Sequence, residues 1–489
     1  MTISNADQLS RPPGHWPGLP ARAMGVAYLL VCLLPLALAG LSRVAPLDRW
    51  EAIGAGLGLS GLVAMVIQVL SSGRFQLVSG GMGIDRIMAF HKIAAYWVLL
   101  ALLLHPLLYV LPTFQDDPAL GAERLRAYLT LPGYRSGVVA LLALAVLVVM
   151  GIARGMFRYE TWRALHVILA LVALGGGLHH AVSVGRFSAL GALHWAWWGA
   201  GGVVVLSFAV LYGWRWARLH RQRWRLRAVE NKADRIWELD IEPLQGTAPL
   251  RYRAGQFVWM TQGARRFPLF DHPFSIADSP QRPGLSLIVK EAGDFTRRIG
   301  DLEPGTTIGI DGPYGTFTLE RHQGDQILLI AGGVGIAPIM GLLRHLVATR
   351  DPRPIRVAYA AGHPENMACL DELSAAQSVL DLKLMLVSEA GSEGWANATG
   401  FLDRAKLTTL LDGLDPSRTV ALICGPGGMV TTVSDTLLDM GLPMKNVVYE
   451  RFDYAGGLSA RQDRRRTLGF AGLFMVLAAS VVVLSLRLA

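Results

Sequence analysis

Apolar residues fill six long blocks in the first 218 positions: 26–41, 53–70, 84–111, 138–152, 164–184 and 195–214. Charges cluster between the blocks. About 20 such residues cross a hydrocarbon core roughly 30 Å thick, so the pattern predicts six transmembrane helices. After residue 227 the runs shorten and alternate. Stretches 224–229, 235–241, 256–260 and 285–289 read as strands of a small antiparallel barrel. From 326 the pattern changes again. A buried strand at 327–331, a Gly-rich turn, a helix at 339–349 and further strands at 355–360, 382–387 and 420–424 predict a doubly wound parallel sheet. A last apolar run of 19 residues, 468–486, follows Arg464-Arg465-Arg466. At about 1.5 Å per residue it is long enough for a seventh span.

The expected organisation is a segment 1–20, a six-helix domain 21–218, a barrel 219–322, an α/β domain 323–455 and a basic linker with a seventh helix 456–489. Positive charge gives the orientation. Arg154, Arg158, Arg163 and the stretch 215–227 read as cytoplasmic, while the loop 113–134, with Asp116, Asp117 and Glu123, reads as external. The dehydrogenase-like half is then cytoplasmic and Ala489 outside. The first residues, with Pro12, Pro13, Pro17 and Pro20, lack a signal-peptide cleavage pattern. Net charge is +9 and mean hydropathy +0.37. The basic residues flank spans and form no separate basic domain, which argues against nucleic acid. Cys32, Cys369 and Cys424 form neither a disulfide framework nor a CxxC site, as in a reducing cytosol.

Two of the apolar blocks carry histidines: His91 and His105 in one, His166 and His179 in the other. Each pair spans roughly 20 Å of helix, so two such helices offer facing imidazoles at two depths. Imidazole is an axial ligand of haem iron. The competing reading is a set of hydrogen-bonded interhelical contacts. Residues 14 apart on a helix differ by about 40° in azimuth and residues 13 apart by about 140°. Helix geometry alone therefore pairs His166 with His180, while distortion at Gly175-Gly176-Gly177 would bring His179 round.

Four soluble motifs stand out. His272-Pro273-Phe274-Ser275, at the end of a barrel strand, offers an aromatic ring and a hydroxyl to a flavin; a Pro turn closing a strand is the plainer reading. Gly293-Asp294-Phe295-Thr296 offers N–H groups and a hydroxyl to a pyrophosphate, or is a Gly turn with a Thr cap. The run 332–338, with Gly332, Gly333, Gly335 and Pro338, lies between strand and helix, as nucleotide turns do. Cys424-Gly425-Pro426 ends another strand at the ligand-binding edge of such sheets. Cys424 by itself also reads as a buried small residue.

In this order, with Asp311–Gly315 as DGPYG, the motifs resemble the NADPH-oxidase and ferric-reductase family in its prokaryotic form, over residues 20–452. The resemblance implies FAD at His272–Ser275 and Gly293–Thr296, and NADPH or NADH at Gly332–Pro338 and Cys424–Pro426. It implies two b-type haems, with iron held by His91 and His166 and by His105 and His179, His180 being the alternative. Phe452, in Glu450-Arg451-Phe452, takes the place of the aromatic that covers the flavin, and Ser275, Cys424 and Phe452 line the hydride path. The implied function passes electrons from cytosolic NAD(P)H through FAD and haem to an acceptor across a bacterial plasma membrane. Dioxygen giving superoxide comes first, then a ferric chelate or a periplasmic partner. A transporter with a regulatory nucleotide domain is the rival from another class. Membrane lipid is the expected surrounding, with no obligatory protein partner, and no EF-hand loop points to calcium. The stretch 359–363 leaves NADH and NADPH both open. Arg49, Tyr109, Arg186 and His194 are candidates for the outer mouth. The tail beyond Ala460 departs from the family and is expected to be dispensable for cofactor binding.

Overall fold

The computed structural model describes residues 20–489 apart from 43, 45–46, 77, 79–81, 189–190, 264–266, 323 and 453–459. The expected opening segment, Pro20 excepted, lies outside the described residues. The chain divides into two compact units. One runs up to Trp214 and takes back Arg466–Ala489; the other is Arg215–Arg465.

The first unit is helical: α1 (Ala21–Gly40), α2 (Arg49–Leu70), α3 (Ile84–Asp116), α4 (Pro118–Thr130), α5 (Arg135–Ile152), α6 (Tyr159–Val184) and α7 (Ala192–Phe208). Seven helices among the described residues are long and apolar enough to cross a membrane: α1, α2, α3, the stretch Pro132–Ile152, α6, the stretch Ala192–Arg221, and the C-terminal Arg461–Ser485. They show apolar side chains such as Leu100, Leu142, Val149 and Val205 to the surroundings. That is unfavourable in water and suits lipid. The exception is α2, the most enclosed of the seven. Its glycines allow close approach. Gly54, Gly58 and Gly61 face α3, and a Cβ on Gly56 would strike Ser485.

One expectation is corrected here and one is met. Residues 113–134 are mostly helix, not loop. Asp117 accepts from the backbone N–H of Ala119 (2.9 Å) and Leu120 (3.2 Å), and Pro118 opens α4. Such a cap and first-turn Pro are a local start signal. The tail forms the expected further apolar helix and packs among the others. Phe474, Leu477 and Val481 are buried in one core with Tyr28, Cys32, Ala64 and Val98.

The second unit opens with α8 (Arg215–Arg221) and an antiparallel sheet of β1 (Trp224–Ala233), β2 (Ile236–Pro243), β3 (Phe257–Gln262), β4 (His272–Ser275), β5 (Leu285–Lys290) and β6 (Thr307–Tyr314). Their order is β4-β3-β6-β1-β2-β5, and a bridge between Ile276 and Leu287 joins the two ends into a barrel. Alternate residues such as Leu226, Leu239, Ile241, Val258, Met260 and Ile310 fill it. The parallel sheet has β7 (Gln326–Gly332), β8 (Ile355–Ala361), β9 (Leu382–Ser388), β10 (Ala398–Thr399), β11 (Thr419–Gly425) and β12 (Val447–Arg451) in the order β10-β9-β8-β7-β11-β12. Its helices are α9 (Ile336–Thr349), α10 (Leu370–Ala376), α11 (Arg404–Leu411) and α12 (Gly427–Asp439). The strand order reverses between β7 and β11, which is where such sheets bind ligands. The last helix, α13, is Arg461–Ser485.

Candidate functional site

The histidines of α3 and α6 meet in two pairs. His91 and His166 have ring centroids 6.3 Å apart, and His105 and His180 6.5 Å apart. The expected partner His179 is not brought to His105. Its Nδ1 lies 3.0 Å from the Ser136 hydroxyl and its Nε2 3.4 Å from that of Ser183. The reason is periodicity. α6 stays α-helical through Gly175-Gly176-Gly177, so only the residue 14 beyond His166 returns to the same face.

A His–metal bond is about 2.0–2.1 Å, so two imidazoles in line across one metal have centroids roughly 6 Å apart. Both pairs fit. The Nδ1 of His105 donates to the Gly54 carbonyl at 2.8 Å, leaving Nε2 as the free nitrogen. The Nδ1 of His91 lies 3.3 Å from the Ser71 hydroxyl. The Nδ1 of His180 is buried without a hydrogen-bond partner. Space for the His105 and His180 rings comes from glycine. A Cβ on Gly58 would lie 2.5 Å from His105 Nδ1, and one on Gly137 2.7 Å from His180 Nδ1. Around this level, Tyr109 stands 5.4 Å from His105, Tyr134 6.2 Å from His180, and Tyr128 5.0 Å from Tyr134. Arg124 ties α4 down through Glu51 (2.9 Å) and Thr113 (2.7 Å). Of the other mouth candidates, His194 reaches the Ser188 carbonyl and the Trp198 indole, and Arg49 lies over Trp50.

In the second unit His272-Pro273-Phe274-Ser275 is itself the strand β4, paired with β3 so that Ser275 faces Phe257 and His272 faces Met260. The His272 ring stacks on Phe295 at 4.0 Å, with Phe274 6.1 Å from the same ring. The two flavin motifs thus form one aromatic shelf, and Ser275 is buried at the end of the same strand. The Thr296 hydroxyl accepts from the N–H groups of Ala292 (2.8 Å) and Gly293 (2.9 Å). It closes its own turn, as in the plainer reading. Gly332, Gly335 and Gly425 pack backbone to backbone: a Cβ on Gly335 would strike the Cys424 carbonyl, and one on Gly425 would lie 3.0 Å from Gly332 Cα. Gly333, at φ +53°, has open space where a side chain would be. Cys424 is fully buried, and Phe452 follows β12 on the same sheet edge, half exposed.

The matches to known families agree with this division. Residues 57–177 match the ferric reductase like transmembrane component, 225–318 an FAD-binding domain and 329–435 an oxidoreductase NAD-binding domain. The chain belongs to the family with the NADPH oxidase and ferric reductase architecture. The chain joins the membrane component to the two dehydrogenase domains and carries the further apolar helix α13. Among curated proteins it is 27% identical over 239 residues to the propane 2-monooxygenase reductase component of Mycolicibacterium smegmatis, covering 47% of this chain and 67% of that one. It is 31% identical over 202 residues to sulfhydrogenase 2 subunit gamma of Pyrococcus furiosus (39% and 68%). It is 29% identical over 172 residues to NADH-cytochrome b5 reductase 1 of Laccaria bicolor (34% and 56%). The chain thus spans between about half and two thirds of these relatives. Among solved structures, the flavohemoglobin of Malassezia yamatoensis aligns with 84% of this chain and all of that one at TM-score 0.46 and 16% identity. The Neisseria gonorrhoeae ferredoxin NADP+ reductase aligns with 47% of this chain and 97% of that one at TM-score 0.41 and 20% identity.

The sequence reading missed the groups that hold these parts in place. Asp311 of DGPYG is buried and accepts from Arg215 (2.9 Å), Arg218 and the Tyr314 hydroxyl (3.0 Å), fastening α8 to the barrel. Arg344 of α9 fastens the parallel sheet's first helix to the barrel. It donates to Glu238 (2.6 Å), the Ala277 carbonyl (2.6 Å), Ser286 (2.9 Å) and Glu372 (2.7 Å). Burial pushes the Glu238 carboxyl up, but the Arg344 bonds outweigh it and hold the group below its ordinary value. The neighbouring Cys369 thiol is pushed up to about 12 by burial and by Glu238 and Glu372, so it stays protonated. For the His105 level a signal did exist: Gly54-x-x-x-Gly58 marks a helix face meant for close contact.

Proposed function

We propose that the protein carries electrons from NAD(P)H across a bacterial plasma membrane to dioxygen and forms superoxide, with its dehydrogenase unit in the cytoplasm. One observation carries the reading: two facing histidine pairs at two depths on the same two helices, fused to a flavin and nucleotide dehydrogenase. Arg154, Arg158, Arg163 and the arginines of α8 support the orientation. Bound FAD supplies the change from a two-electron hydride to single electrons, and haem iron supplies one-electron relay points.

The chain's own residues place these groups. His91 with His166, and His105 with His180, would hold the two haem irons. The aromatic shelf of His272, Phe274 and Phe295 and the Ser275 hydroxyl orient the flavin. Gly333 and the Gly335–Cys424 contact let a dinucleotide approach the sheet edge. One NAD(P)H reduces two dioxygen molecules to two superoxide anions and releases one proton. The tyrosines over the outer pair, and α4 held by the Arg124–Glu51 ion pair, favour a small neutral acceptor over a bulky chelate.

The test is anaerobic reduction of the purified protein with NADH or NADPH while haem absorbance is followed, then addition of oxygen or of a ferric chelate. Rapid reoxidation by oxygen, with superoxide detected by a dismutase-sensitive reporter, is the expected result. Reoxidation by the chelate alone makes the protein a ferric reductase, and reoxidation by neither makes it a supplier to a partner. Absence of haem absorbance would sink the whole scheme.

A further inference from the structure

The first turn of α13 is fastened to the strand that ends in Phe452. Tyr449 of β12 donates its hydroxyl proton to Asp463 at 2.6 Å, and Arg451 pairs with Asp463 at 2.8 Å. The Arg451 guanidinium also donates to the Thr431 hydroxyl of α12 (3.1 Å) and lies over the Tyr449 ring at 5.2 Å. The turn itself is fixed independently. Gln462 is buried and donates to the carbonyls of Met444 (2.6 Å) and Val447 (3.0 Å). The Arg461 backbone N–H donates to Asp435 (3.0 Å), and its side chain pairs with Asp439 (2.6 Å).

The register of β12 makes this contact consequential. Glu450 pairs with Cys424 and Arg451 with Gly425, so Phe452 leaves the sheet beside the Cys424 turn. On the barrel side, the Glu450 carboxylate lies 3.7 Å from where a Cβ on Gly315 would stand. Strand end, nucleotide turn and barrel turn therefore meet within one unit, and Asp463 is the charged group that pins the strand end from the far side. The Tyr449 bond is charge-assisted, and both it and the Arg451 ion pair are only partly exposed, which makes them stronger than surface pairs.

We propose that Asp463 is a positioning residue: by holding Tyr449 and Arg451 it sets how readily Phe452 gives up its place to the nicotinamide ring. The inference rests on the proposed reading that Phe452 covers the flavin. A ring that must be displaced taxes the affinity of whatever displaces it, in proportion to how firmly it is held. Loosening the strand end therefore tightens nucleotide binding.

The test is a double-mutant cycle in the full-length protein. It uses Asp463→Ala, Phe452→Ala and the pair, and reads nucleotide Kd and the rate of FAD reduction in anaerobic stopped flow. Asp463→Ala should lower the Kd by roughly five-fold, the scale of coupling between neighbouring residues, with FAD content unchanged. In the Phe452→Ala background the same change should do nothing further. Asp463→Asn keeps the acceptor for Tyr449 and loses the Arg451 charge pair, so it should give a smaller shift in the same direction. It carries the test if the alanine variant does not fold. An unchanged Kd in both Asp463 variants, while Phe452→Ala alters it, overturns the role of Asp463 and leaves the flavin-covering reading standing. Equal effects in both backgrounds assign Asp463 to general stability and also overturn it. If Phe452→Ala alters neither Kd nor rate, the flavin-covering reading itself fails.

Discussion

The two histidine levels lie on the same pair of helices and are built in opposite ways. At the His91 level, polar side chains do the holding. Gln68 donates to the His91 carbonyl at 3.0 Å, Ser71 bonds to Gln68 at 2.9 Å, and Ser71 approaches the His91 ring. The Trp162 ring stands 5.2 Å from His166. At the His105 level, backbone and empty space do it. The Gly54 carbonyl takes the His105 proton, Gly58 and Gly137 leave room for the rings, and His180 has no polar support at Nδ1. One level depends on groups being present, the other on groups being absent. They should fail under opposite kinds of mutation.

The strongest break comes from the ligands. His180→Ala should remove the outer haem, leave the inner one and cut acceptor reduction by more than roughly 100-fold, beyond what a supporting group costs. His179→Ala should keep both, as haem content per polypeptide will tell. The reverse result would restore His179 as the ligand and refute the pairing seen here.

Next in size is the addition of one methyl group. Gly58→Ala or Gly137→Ala should cost about 1–3 kcal/mol by overpacking and loosen the outer haem selectively. Haem retention during detergent exchange would show it. Equal loss from both levels would mean that the glycines serve only general helix packing.

The smallest effect belongs to the inner level. Ser71→Ala removes a hydroxyl and should cost about 1 kcal/mol or less, seen as a small shift in the inner haem's potential with its content unchanged. The outer haem should not respond.

A control for both lies in the dehydrogenase unit. Glu238 is held below its ordinary value chiefly because the Arg344 bonds outweigh burial. Its stabilising contribution is present above the unfolded-state carboxyl value and is lost as pH falls through the lowered folded value. Acid titration should therefore weaken the dehydrogenase unit, and Glu238→Gln should flatten that dependence in a melting curve. A Glu238→Gln protein with unchanged acid sensitivity would show that another carboxylate governs it.

The sequence by itself determined the element types. Unbroken apolar blocks left only spanning helices, since a bilayer satisfies no backbone group. The switch to short alternating runs and then to strand–turn–helix units fixed barrel and parallel sheet. It also placed the Gly-rich turn 332–338 between a strand and a helix, as the structure has it between β7 and α9. The structure turns His180, not His179, toward His105, as the helical period in the sequence already indicated. What only the tertiary structure decided were contacts between residues far apart in the chain. Gly137 opposite His180, Arg344 against Glu238, Asp311 beneath Arg215, and Asp463 against Arg451 leave no periodic trace. Burial in a helix or strand writes a pattern into one segment. A charged or glycine contact across segments is a single residue at each end, and nothing in either segment says where its partner lies.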